Sequence, residues 1–72
     1  MQLEIRPGCS PDNIRICGPG NIRMNAHTWI LKNFSEREAW PVWVEGFIQV
    51  SFVGNVSERK QYFLDALEKQ FQ

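Results

Sequence analysis

Trp40 to Val53, WPVWVEGFIQVSFV, is the stretch that most restricts what this chain can become. Five β-branched residues, two Trp and two Phe in fourteen positions suit a pleated, largely buried segment. The segment belongs in the middle of a sheet. Glu45-Gly46 interrupts it and admits either a two-residue hairpin turn or a glycine bulge in one long strand. The hairpin is favoured, with Val42–Val44 as one arm and Phe47–Val53 as the other. In the second arm Ile48, Val50 and Phe52 share the core face, and Phe47, Gln49, Ser51 and Val53 share the other. Val44 is expected to join the core face.

The end of the chain supplies the cover for such a sheet. After Gly54 and Asn55, Ser57 opens a predicted helix over Glu58–Gln70, with Glu58 in its first turn and Lys69 in its last. Phe63, Ala66, Leu67 and Phe71, flanked by Leu64, form an apolar arc; Gln61, Asp65, Glu68 and Lys69 form the opposite one. Neither the helix nor the sheet can bury its stripe alone, so the helix packs on the core face.

The first half reads as short strands. Leu3 and Ile5 alternate with Glu4 and Arg6 over Gln2–Arg6, and Ile14 and Ile16 alternate with Arg15 over Asn13–Cys17. Pro7, Gly8, Ser10, Pro11 and Asp12 form the loop between them. NIRI and NIRM lie on either side of Gly18-Pro19-Gly20, which predicts a further hairpin with Ile22 and Met24 inward. The apolar run Ala26–Phe34 is too short to separate strand from helix by period, and its β-branched and aromatic members favour strand. Ser35 to Glu38 has capping-box spacing, and Pro41 limits any helix there to about one turn. NFSERE and NVSERK echo each other, which capping chemistry used twice explains without a duplication.

The expected architecture is therefore α+β: an antiparallel sheet of four to five strands, drawn from residues 2–34 and 42–53, with one C-terminal amphipathic helix on one face. Seventy-two residues allow one domain, residues 1–72, and a core that buries only about 60% of the unfolded surface. Stability of that order is marginal.

Few function classes find support. Eight basic and eight acidic side chains cancel, so the strong field of a dedicated nucleic-acid binder is missing. Neither a signal peptide nor an 18-residue apolar segment is present, so a cytoplasmic protein without membrane attachment is expected. In that compartment Cys9 and Cys17 are expected as free thiols. Cys9, Cys17 and His27 match no zinc-ligand spacing, and Gly18-Pro19-Gly20 lacks the Lys-Ser/Thr of a phosphate loop. Neither an enzyme nor a cofactor is expected.

Two features remain outside the core. Arg6, Arg15 and Arg23 are expected to project from the face opposite the apolar residues, although solvated strands also carry such alternating arginines. One helix cannot cover Trp29, Trp40, Trp43 and Phe47 together, so some of these rings are expected at the surface. An uncovered Trp43 and Phe47 beside Arg15 and Arg23 would form a contact surface of the kind that dominates binding energy. The expectation is a non-catalytic protein-interaction module: an inhibitor, adaptor or accessory protein, such as phages and mobile elements use. It would act by occluding a partner's surface, and a homodimer through the aromatic face is one form of this. The alternative is nucleic-acid binding through the arginine row with aromatic stacking.

Overall fold

The computed structural model describes residues 3–71. The elements are β1 (Glu4–Pro7), β2 (Asn13–Cys17), α1 (Gly20–Asn33), β3 (Ala39–Val44), β4 (Phe47–Phe52) and α2 (Val56–Phe71). The strands form one antiparallel sheet in the order β1-β2-β4-β3. The fold is α+β, with α2 packed on the sheet as expected; among the described residues there are four strands and no fifth. Residue Gln2, the expected start of the first strand, lies outside the described residues.

Glu45-Gly46 is a hairpin turn. Val44 pairs with Phe47 directly across it, and Gly46 has φ +90° while no described non-glycine residue has positive φ. That combination is the signature of a type II turn, whose second central residue must be glycine for steric reasons. The turn also fixes which side chain faces where. Because Phe47 points away from the core, its partner Val44 does too, and Trp43, paired with Ile48, takes the core side. The expected place of Val44 among the core residues is thereby corrected.

The larger correction is α1. Asn21–Met24 is not the second arm of a hairpin, and Ala26–Phe34 is not a strand: Gly20–Asn33 is one fourteen-residue helix. Gly18-Pro19-Gly20 leads from β2 into that helix, and the first turn closes when Arg23 N–H donates to Pro19 O at 2.9 Å. The alternation in NIRM spans only two apolar residues. Ile22, Ala26, Trp29 and Ile30 recur at helical spacing over more than two turns, and that longer pattern wins. Ala26 and Ile30 are fully buried, whereas Met24 and Leu31 face solvent.

α2 begins two residues earlier than Ser57-based capping implies. Asn55 is the cap: its side-chain oxygen lies 3.5 Å from the Glu58 N–H, and its amide donates to the Glu58 carboxylate at 2.8 Å. Ser35–Glu38 remains a single turn before β3, held by Glu38 Oε1 accepting from Ser35 N–H at 3.0 Å. The NFSERE and NVSERK echo therefore falls on unlike places, the end of α1 with the following turn and the start of α2. The architecture does repeat, but on another pattern. β1β2α1 and β3β4α2 are two ββα units, and the strand order reads alike from either edge with β2 and β4 paired at the centre.

Both helices pack against the same layer of side chains. Ile14 and Ile16 of β2, Ile48, Val50 and Phe52 of β4 and Ala39 of β3 are buried with Ala26 and Ile30 of α1 and Phe63 and Leu67 of α2. Leu3 closes the β1 end. Phe63 meets the rings of Trp29, Phe34 and Phe52 at centroid distances of 6.1, 5.2 and 5.4 Å. These tilted and edge-on contacts are favoured by the ring quadrupoles. Trp29 is consumed here, in the seam between the helices.

Candidate functional site

With both helices on one face, the other face of the sheet has no cover. The period-2 rule places Glu4 and Arg6 of β1, Asn13, Arg15 and Cys17 of β2, Trp40, Val42 and Val44 of β3, and Phe47, Gln49 and Ser51 of β4 on it. The register aligns them in rows: Arg6, Arg15, Gln49 and Val42 in one, and Glu4 with Cys17 and Phe47 with Val44 in the next. The β1–β2 half is polar. The β3–β4 half is mainly apolar, interrupted by Gln49 and Ser51, with Trp40 43%, Val42 44% and Val44 37% exposed.

Arg15 bridges the two halves. Its Nε donates to Pro7 O at 3.0 Å, and its guanidinium carbon lies 5.6 Å from the Phe47 ring centroid. The backbone carbonyl anchors the stem, so the charge is presented over the aromatic ring, a contact worth about 0.5–1 kcal/mol at an exposed site. Arg6 forms an exposed ion pair with Glu4 on the same strand. Such a pair adds little stability and can be exchanged for another partner at small cost.

Trp43 lies on the opposite side of the sheet. It sits beyond the end of the core against α1, 45% exposed. His27 stacks on it with ring centroids 5.2 Å apart and planes 23° from parallel, and the Arg23 guanidinium carbon is 5.7 Å from its centroid. Arg23 and His27 are four residues apart on α1 and so share one stripe of the helix. Arg23 Nε donates to Gly18 O at 2.8 Å, which ties the same side chain to the β2–α1 turn.

The residues picked out in the sequence therefore separate into two groups. Phe47, Arg15 and Arg6 come together on the open face; Trp43 and Arg23 come together at the α1 flank of β3. The three arginines do not form one row, because Arg23 belongs to a helix and not to a third strand. Trp40 is one of the four rings of which some are expected at the surface; Val42 and Val44 are surface residues that the sequence did not single out. For Val44 the signal was available: a two-residue turn with Phe47 outward forces its cross-strand partner outward. His27, which matches no zinc-ligand spacing, is the stacking partner of Trp43.

The outer edge of β3 is closed in an unusual way. In a hairpin with a two-residue loop the closing pair exchanges both backbone hydrogen bonds, and bonded and non-bonded pairs then alternate. Starting from Val44–Phe47, the backbone groups of Trp43, Pro41 and Ala39 point away from β4. Two observations agree: Ala39 N–H donates to Ser35 O at 3.1 Å, and Phe52 N–H donates to Asp12 O at 2.8 Å instead of to β3. Pro41 has no N–H. Of the three outward donor positions on this edge, only Trp43 keeps a donor available.

Other chemistry is sparse. Cys9 and Cys17 are free thiols. Among the described residues no group of three or more His, Cys, Asp or Glu could hold a metal ion, and no helix is long and apolar enough to cross a membrane. A groove of about 270 Å³ runs between β1 and α2, with Leu3, Ile5, Leu64 and Leu67 as its apolar lining. Comparison with protein-family models, with curated proteins and with solved structures finds no match.

Proposed function

We propose that the protein is a non-catalytic interaction module that binds another protein through β3, β4 and the side chains around them. The observation that carries this reading is the exposure of β3 on both of its faces: Trp40, Val42 and Val44 on one, Trp43 on the other. An edge strand that leaves two Trp and two Val more than a third exposed spends apolar area that a monomer would otherwise bury. Phe47 and Arg15 extend the patch on the open face, with Arg6 at its far side, and Arg23 extends it beside Trp43. Trp and Arg are the residue types in which interface energy concentrates. Occlusion of a partner's surface, as by an inhibitor, adaptor or accessory subunit, requires only such a surface. The β1–α2 groove, about 270 Å³, lies at the lower edge of the roughly 300–1,000 Å³ of ordinary small-molecule sites.

Nucleic-acid binding is the second reading, and one feature favours it: each exposed aromatic cluster holds a guanidinium over a ring. The zero net charge and the engagement of Arg15 and Arg23 with backbone carbonyls weigh against it. Labelled DNA and RNA should pass through immobilised protein at low salt; retention that falls with added salt would instead support the second reading.

The test of the first reading is affinity capture from the native host with three baits. The wild type should retain a defined partner. Trp40→Ala with Phe47→Ala should lose it, and Trp43→Ala should weaken it if the partner wraps the β3 edge. A partner held equally by all three baits would sink the proposal.

A further inference from the structure

We propose that the open face pairs with the open face of a second copy of this chain, in an arrangement that the register of the sheet selects. The inference rests on the reading above that this face binds protein, and it names the partner.

A four-stranded sheet with strands of up to six residues offers a plane roughly 20 Å on a side. Two such planes in full contact bury on the order of 1,000–1,200 Å²; an arrangement that overlaps two of the three outward rows buries proportionately less, in the range of weak, transient contacts. That area suits a reversible dimer whose population depends on concentration. A chain with zero net charge meets no overall repulsion from its own copy.

Four placements of a twofold axis can be compared. An axis parallel to the strands, at the centre of the sheet, lays the apolar β3 over the partner's β1, with its Glu4 and Arg6. Val42 and Val44 would then desolvate Arg6 and Glu4 without compensating them. An axis perpendicular to the strands puts β3 over β3 and β1 over β1. If that axis runs along the row of Arg6, Arg15, Gln49 and Val42, each arginine opposes its own copy. If it runs between that row and the row of Asn13, Ser51 and Trp40, Val42 meets Trp40 but Arg6 meets no acid; if it runs between that row and the row of Glu4, Cys17, Phe47 and Val44, the rows exchange: Val42 meets Val44, Gln49 meets Phe47, Arg15 meets Cys17 and Arg6 meets Glu4 of the other copy.

Only the last arrangement buries apolar on apolar and opposes charges of unlike sign. The Arg6–Glu4 pair already forms within the chain at an exposed position, so the same groups exchange partners across the interface at little cost. An isologous contact requires this self-complementarity, in which residue i meets j and j meets i.

Sedimentation velocity of the purified full chain between about 5 and 500 μM tests it, the range bracketing micromolar dissociation. The wild type should shift from monomer to dimer over that range, and Val42→Asp should remain monomeric throughout. Arg6→Glu should weaken association several-fold, and Glu4→Arg with Arg6→Glu should restore it, because the exchanged pair is then re-formed with its signs reversed. Trp43→Ala, on the other side of the sheet, should dimerise as the wild type does. A wild type that stays monomeric at the highest concentration, or a dimer indifferent to Val42→Asp, would overturn the proposal. If the protein is monomeric yet Val42→Asp abolishes capture of a host protein, the dimer fails and the binding role of the face stands.

Discussion

Phe63 shows how much of this small protein hangs on single side chains. It is fully buried among the rings of Trp29, Phe34 and Phe52, and so joins α2 to α1, to the loop after α1 and to β4. Phe63→Ala removes those contacts and leaves a cavity; the expected loss is about 3–5 kcal/mol. A domain's whole stability is about 5–15 kcal/mol, so urea unfolding should show a midpoint lowered to a small fraction of the wild-type value or no folded baseline. Two glycines give smaller effects of opposite sign. Gly46 holds φ +90° with open space where a Cβ would go, so Gly46→Ala pays only backbone strain, about 1 kcal/mol. Gly20 opens α1 at an ordinary φ, with its nearest neighbour 3.7 Å from an added Cβ. Gly20→Ala should therefore stabilise by about 0.4–1 kcal/mol, chiefly by restricting the unfolded chain. Urea midpoints moving in the same direction for both would contradict the assignment of the two turns.

Among the elements, α2 and the β3–β4 hairpin were legible in the sequence and α1 was not. α2 carries a long stripe of large apolar residues with a capping residue before it, and the hairpin carries β-branched residues about a single glycine. The inward face of α1 is narrow, with Ala26 at its centre, and its outward face carries Met24 and Leu31. Weak amphipathicity of that kind is hidden by two residues of accidental alternation in NIRM. β3 carries its own prediction. Pro41 removes a donor from the free edge, and Ala39 spends its donor on Ser35, so strand addition along β3 has little to bond to. Pro41→Val should keep the fold, since the position does not bond to β4, and should restore an outward N–H. Circular dichroism should be unchanged while light scattering reports more association than the wild type shows; a variant that scatters no more than the wild type would remove this role from Pro41.

At the scale of the whole molecule, two ββα units place both helices on one side of the sheet and leave the other side bare. The surplus of aromatic rings over what one helix could cover pointed to an exposed surface. Its membership was less legible, because it turns on register: Trp43 and Phe47, four residues apart, fall on opposite faces once the turn takes two residues. Arg23 left the expected row for the same kind of reason, a strand having become a helix. The central claim, that protein contact is made on the β3–β4 side, is tested most directly by oxidative footprinting of the bound protein against the isolated chain. Trp40 and Phe47 should lose most of their labelling on binding. Tyr62, 65% exposed on α2, should keep its own. Protection of Tyr62 with Trp40 and Phe47 unchanged would place the contact on the helical layer and contradict the account.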